Sequence, residues 1–217
     1  MTTPPPDPAP ADRRDDAGRR DLRRTFRQRR RRLTPSVRAA HADAAARHFF
    51  AAGLQFAGRT FGAYVAADGE LDPAPLLRRL LHPRRRLALP VVRRGGVMDF
   101  YRVRPDTRFV TNRFGIAEPA PGTPWVPPLS IDVLLMPLVA FDDRGNRLGM
   151  GAGFYDRFIG RLPPRLRPRL IGLAHEVQRS ESPLPAAPWD VPLDGVLSEA
   201  GWQPLTRHRA TADQDHD

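Results

Sequence analysis

The chain has 217 residues, no cysteine, and a formal charge of +11 carried by 35 basic residues that are all Arg and never Lys. Without thiols it forms no disulfide, no thiolate nucleophile and no Cys-ligated zinc site. Without lysine it has no Walker phosphate loop, no Schiff base and no pyridoxal anchor, while 41% hydrophobic content is enough for one core of ordinary domain size.

In chain order, residues 1–18 are rich in Pro, Asp and Arg and read as a disordered tail. A domain over residues 19–205 and a second, frayed tail over 206–217 follow. No apolar stretch follows Arg13-Arg14, so no secretory or twin-Arg signal is read. The longest apolar run, residues 133–141, is interrupted by Pro137 and falls short of the about 20 residues a membrane helix needs, so a cytoplasmic location is expected.

Residues 13–32 hold eleven Arg against Asp15, Asp16 and Asp21, and Leu22, Phe26 and Leu33 recur at helical spacing. This predicts an amphipathic helix with a thin apolar seam. Its cationic surface reads either as a solvated face or as an anion site. Thr34 and Pro35 suit the N-cap and first position of a second helix, running to about Ala52. Strands are expected at residues 59–66, 86–92, 98–103, 132–141, 169–175 and 195–199, with helices at about 72–81 and 153–162. Strands alternating with helices predict a single α/β domain with a central, mostly parallel sheet flanked by helices.

The richest segment is 136–160. A buried strand ends near Phe141, a turn follows, and then come Arg147, Leu148, Gly149, Met150, Gly151, Ala152, Gly153 and an amphipathic helix. Strand, glycine loop and helix start together bind phosphate: free N–H groups point outward and the helix end adds about half a positive charge. Arg147 supplies a planar fork for phosphate oxygens, and Asp156 a carboxylate placed to hold Mg²⁺ against phosphate. Phe154 stands where the dinucleotide fingerprint would need glycine.

The string GNRLGMGAGFYDRFI closely resembles the signature of the 5-formyltetrahydrofolate cyclo-ligase (5,10-methenyltetrahydrofolate synthetase) family. RRDLR, FGAYVAADGELD, LALPVV, FGIAEP, DVLLMPLVAFD, IGLAHEVQ and WDVPLDGVLSE follow in the family's order, so the resemblance spans residues 19–199. It implies an α/β fold and an ATP- and Mg²⁺-dependent cyclisation. The formyl oxygen of 5-formyltetrahydrofolate is phosphorylated, N10 attacks the activated carbon, and 5,10-methenyltetrahydrofolate, ADP and phosphate result.

By the same resemblance, ATP contacts are expected from Arg19, Arg20, Asp21, Leu22 and Arg23 and from residues Arg147 to Tyr155. Leu22 sets a register in which Arg19 takes the place of the family's Lys, with Arg20–Arg24 as a competing register. Arg147 and Tyr155 are the expected catalytic residues. Val65, Glu70, Phe114 and Phe154 are expected on the folate, and Asp156 and Asp194 on the metal. Ala152 replaces the family's usual Gly or Lys and requires a negative φ there. The chemistry asks for positioning and charge stabilisation more than for a strong base. The six His residues show no metal-ligand spacing, and His175 reads as structural. A monomer is expected. The rival readings are a nucleic-acid binder built on the Arg-rich helix, with binding that is nonspecific and salt-sensitive, and a folate-binding relative without catalysis.

Overall fold

Apolar runs without polar alternation need cover on both faces. In the computed structural model, which describes residues 10–187 and 190–205, such runs form the middle of one eight-stranded sheet.

Helices α1 (Pro10–Arg31) and α2 (Pro35–Ala51) come first, followed by β1 (Thr60–Gly62), α3 (Ala74–Leu80), β2 (Arg86–Val92) and β3 (Met98–Val103). A hairpin of β4 (Phe109–Thr111) and β5 (Ala117–Pro119) then leads to β6 (Trp125–Val126) and β7 (Val133–Pro137). A second hairpin, β8 (Ala140–Phe141) and β9 (Arg147–Leu148), precedes α4 (Phe154–Gly160), β10 (Arg169–Leu173), β11 (Gly195–Ser198) and β12 (Gly201–Pro204). The sheet order is β12-β11-β10-β7-β1-β2-β3-β6. Its centre, β11-β10-β7-β1-β2, is parallel, and antiparallel partners close both edges.

Successive side chains of a strand point to opposite faces, and β7 shows it. Val133 and Leu135 join Phe49, Phe61, Leu71 and Leu80 beneath α2 and α3. Leu134 and Met136 join Phe100, Phe158, Ile159 and Leu170 beneath α4. Thr34 caps α2 as expected, its Oγ1 accepting from the Val37 N–H at 3.3 Å, with Pro35 in the first turn.

Some boundaries differ from expectation. The helix of the Arg-rich segment starts at Pro10, so the tail boundary read at residue 18 falls inside α1; Ala- and Arg-rich sequence extends a helix without apolar residues to bury. Residues 1–9 and 206–217, both read as tail, lie outside the described residues. The long apolar run at 132–141 is not one strand. It leaves the sheet at Pro137 and re-forms as β8 in a separate hairpin. Among the described residues, no helix is long and apolar enough to cross a membrane.

Candidate active site

The glycine segment begins as a strand. Arg147 and Leu148 belong to β9, delivered by a turn that Asp142 organises: its Oδ1 accepts from the N–H groups of Arg144 (3.0 Å) and Asn146 (2.9 Å). The loop proper is therefore 149–153. Gly151 (φ 97°) and Gly153 (φ 64°) adopt the left-handed backbone that glycine tolerates. Asp68 is the one non-glycine at positive φ among the described residues, so Ala152 meets the condition its methyl sets. A Cβ at Gly149 would meet nothing within 4 Å, leaving the loop's main chain open to a ligand. Helix α4 has only seven residues, so anion binding falls to the loop amides and to Arg.

This loop forms one wall of a cavity of about 560 Å³. The cavity lies beyond the carboxyl ends of β1, β2 and β7, where open α/β sheets bind ligands. Val65, Glu70, Phe114 and Phe154 all line it, together with Arg147, Gly149, Met150, Ala152, Gly153, Tyr155 and Asp156. Residues expected on the folate and on the nucleotide thus share one space. Phe114 reaches it from the β4–β5 connection, whose turn is set by Asn112 Oδ1 accepting from the Phe114 and Ile116 N–H groups.

Arg147 is buried; its guanidinium donates to Val191 O and to Asp156 Oδ1. Burial pulls it below its ordinary pKa while Asp156 and Asp190 oppose the shift. Burial pushes the Tyr155 hydroxyl well up, and the field of Glu70 adds to this. Tyr155 therefore stays protonated, a hydrogen-bond donor and not a base. Burial also raises the Glu70 carboxyl, with Arg30 opposing.

Arg30 and Asp68 are the residues that sequence reasoning missed. Arg30 is fully buried; it donates to Asp68 O (2.9 Å), Asp68 Oδ2 (2.7 Å) and Leu138 O (3.1 Å) and stands 3.7 Å from Glu70. Burial opposes charge on Asp68, but hydrogen bonds from Arg27, Arg30 and Arg31 prevail and hold it at about 2. One signal was available: Arg30 lies four residues beyond Phe26, on the buried stripe of α1.

The α1 residues approach the loop from outside the cavity. Arg23 Nε donates to Gly149 O at 3.0 Å, and Leu22 packs with Phe26 and Leu148. Arg20 and Asp21 are exposed, with Asp21 paired to Arg24 at 2.9 Å. Arg19 donates to Pro185 O at 2.8 Å and to Asp190, so its fork is already engaged by the 185–190 segment. Arg19, Arg23, Arg27, Arg30 and Arg31 all bind groups of their own chain, which weakens the nucleic-acid reading. The expected metal pair is not assembled in the cavity. Asp156 lines it, but Asp194 does not: its Oδ2 accepts from the Leu170 N–H at 2.7 Å, tying the starts of β10 and β11.

The sequence matches the 5-formyltetrahydrofolate cyclo-ligase family over residues 15–199. The chain belongs to that family. It is 39% identical over 176 residues to the 5-formyltetrahydrofolate cyclo-ligase of Escherichia coli K12, covering 80% of this chain and 96% of that protein. The Haemophilus influenzae cyclo-ligase is 41% identical over 138 residues, 62% of this chain and 72% of that one. The NMR structure of Aquifex aeolicus 5,10-methenyltetrahydrofolate synthetase aligns with TM-score 0.74 at 30% identity, covering 91% of this chain and 96% of that one. This cyclo-ligase fold is the α/β sheet expected from the sequence.

Proposed function

We propose that this chain catalyses the ATP-dependent cyclisation of 5-formyltetrahydrofolate to 5,10-methenyltetrahydrofolate. The observation that carries the reading is the single cavity lined by Glu70, Val65, Phe114 and Phe154 together with the 149–153 loop and Arg147. The loop amides and the Arg147 fork bind the phosphates of ATP, while Glu70 accepts from the amino-pyrimidinone N–H groups of the pterin.

The formyl oxygen takes the γ-phosphoryl group as the bond to ADP breaks. The N10 lone pair then closes on the formyl carbon. That carbon's oxygen departs with phosphate, and the N10 proton passes to solvent. N5 lends electron density to the formyl oxygen, so no strong base is needed. Arg147 and the loop amides stabilise charge on the transferred group, and Tyr155, held protonated, donates a hydrogen bond. Asp156 fits a magnesium site, since Mg²⁺ takes one or two carboxylates plus phosphate oxygens. When bound, the ion neutralises phosphate charge. Asp194 serves the β10–β11 junction instead.

Incubating the purified chain with ATP, Mg²⁺ and 5-formyltetrahydrofolate is expected to produce the methenyl absorbance with stoichiometric ADP. Absence of product across pH and divalent metals rules the proposal out.

A further inference from the structure

Away from the cavity wall, three side chains from distant parts of the sequence converge where α2 crosses the carboxyl ends of β10 and β11. They are His41 of α2, His175 just beyond β10 and Glu199 just beyond β11. No spacing signal marks them, because each lies on a different element. His41 Nδ1 stands 3.0 Å from His175 Nδ1 and 3.2 Å from Glu199 Oε1.

Protons are too few for these contacts. The His175 ring accepts from the Gln178 N–H, which requires an unprotonated ring nitrogen. Its Nε2 is buried with no hydrogen-bond partner among the described residues, so the accepting atom is Nδ1. The facing Nδ1 of His41 carries at most one hydrogen. That hydrogen has two acceptors competing for it, His175 Nδ1 and Glu199 Oε1. Three lone pairs therefore converge on a place that one proton serves poorly and one cation serves well.

We propose that His41, His175 and Glu199 form a binding site for a Zn²⁺-class cation. Ligands about 2.0–2.2 Å from a tetrahedral zinc stand roughly 3.3–3.5 Å apart, and the spacings here need only a slight opening to reach that. The carboxylate is already oriented from behind, since both Glu199 oxygens accept from the Glu176 N–H at 3.1 and 3.2 Å. Supporting hydrogen bonds of this kind accompany metal ligands. The ligand set selects the ion: imidazole nitrogen suits zinc, copper or nickel, whereas magnesium prefers oxygen. The nearby positive charges of Arg30 and Arg38 also act on His175, so only an ion with strong affinity for imidazole binds here. Three protein ligands leave a fourth position for water. The bound ion joins α2 to the ends of β10 and β11.

The experiment uses untagged, chelator-treated full-length protein, titrated with Zn²⁺ in calorimetry and with Co²⁺ followed by visible absorption. The expected result is one saturable equivalent of Zn²⁺, not displaced by excess Mg²⁺, a tetrahedral-type Co²⁺ band, and a higher melting temperature with Zn²⁺. His41→Ala and Glu199→Gln are each expected to weaken binding by more than the roughly 10–100-fold that follows loss of a supporting hydrogen bond. No saturable Zn²⁺ binding overturns the proposal, as does binding that both variants retain unchanged. Neither readout depends on cyclo-ligase turnover.

Discussion

On the glycine-loop side of the cavity, Gly149, Met150, Gly151 and Ala152 are exposed and offer mainly main chain. On the Glu70 side, a fully buried Arg30 ties Asp68 and Leu138 together beside the carboxylate. The first wall is an adjustable surface, suited to phosphates that bind through many equivalent N–H groups and must leave again as product. The second is ordered before any ligand arrives, so little further ordering is needed when a rigid ring docks. The chain concentrates its rigidity where a specific heterocycle is read.

The largest expected effect breaks the rigid wall. Arg30→Met leaves the buried Glu70 without its nearest cation and is expected to destabilise the fold by about 3 kcal/mol. Arg23→Met, which removes an exposed bond to Gly149 O, is expected to cost under about 1 kcal/mol. Urea unfolding of the two variants checks the contrast, and equal losses would erase it. Next in size, Arg147→Ala removes charge-assisted bonds worth about 1.5–3 kcal/mol and is expected to lower kcat/KM for ATP by about ten- to a hundredfold. Steady-state kinetics in both substrates test this; an unchanged ATP dependence would move the nucleotide off this loop. The smallest effect concerns pH. Burial raises the Glu70 pKa, so as pH falls its charge is lost earlier than that of an ordinary Glu. The KM for 5-formyltetrahydrofolate is expected to rise on the acid side before the KM for ATP does. Glu70→Gln is expected to flatten that rise, and profiles of both KM values from neutral to mildly acid pH decide it.

The middles of the strands were legible because β2, β7 and β10 are apolar runs that bury both faces. Their ends were not, since these depend on partners far along the chain. Beyond Gly62 the backbone makes one more bond, Ala63 N–H to Ala88 O, and then Tyr64 turns its hydroxyl to Leu71 O, so β1 stops well short of the expected Ala66. The short strands β4, β5, β6 and β12 left no alternation to read. The cavity-lining residues were legible through the family resemblance. Arg30 and Asp68, 38 residues apart, were not, because no local pattern links a buried charge to a distant counter-charge. Asp194 was legible as a residue but not as a role: a carboxylate bound to a backbone N–H looks the same in sequence as one that holds an ion.

The sheet's borders have a consequence for life in concentrated solution. One outer strand, β6, is two residues long and runs straight into Pro127 and Pro128; the other, β12, ends on Pro204. Proline offers no N–H to a visiting chain, and so brief a ribbon gives little template for pairing. A parallel sheet this apolar would otherwise invite its neighbours to stack onto it. Here growth beyond the eighth strand is stopped by the sequence at both flanks.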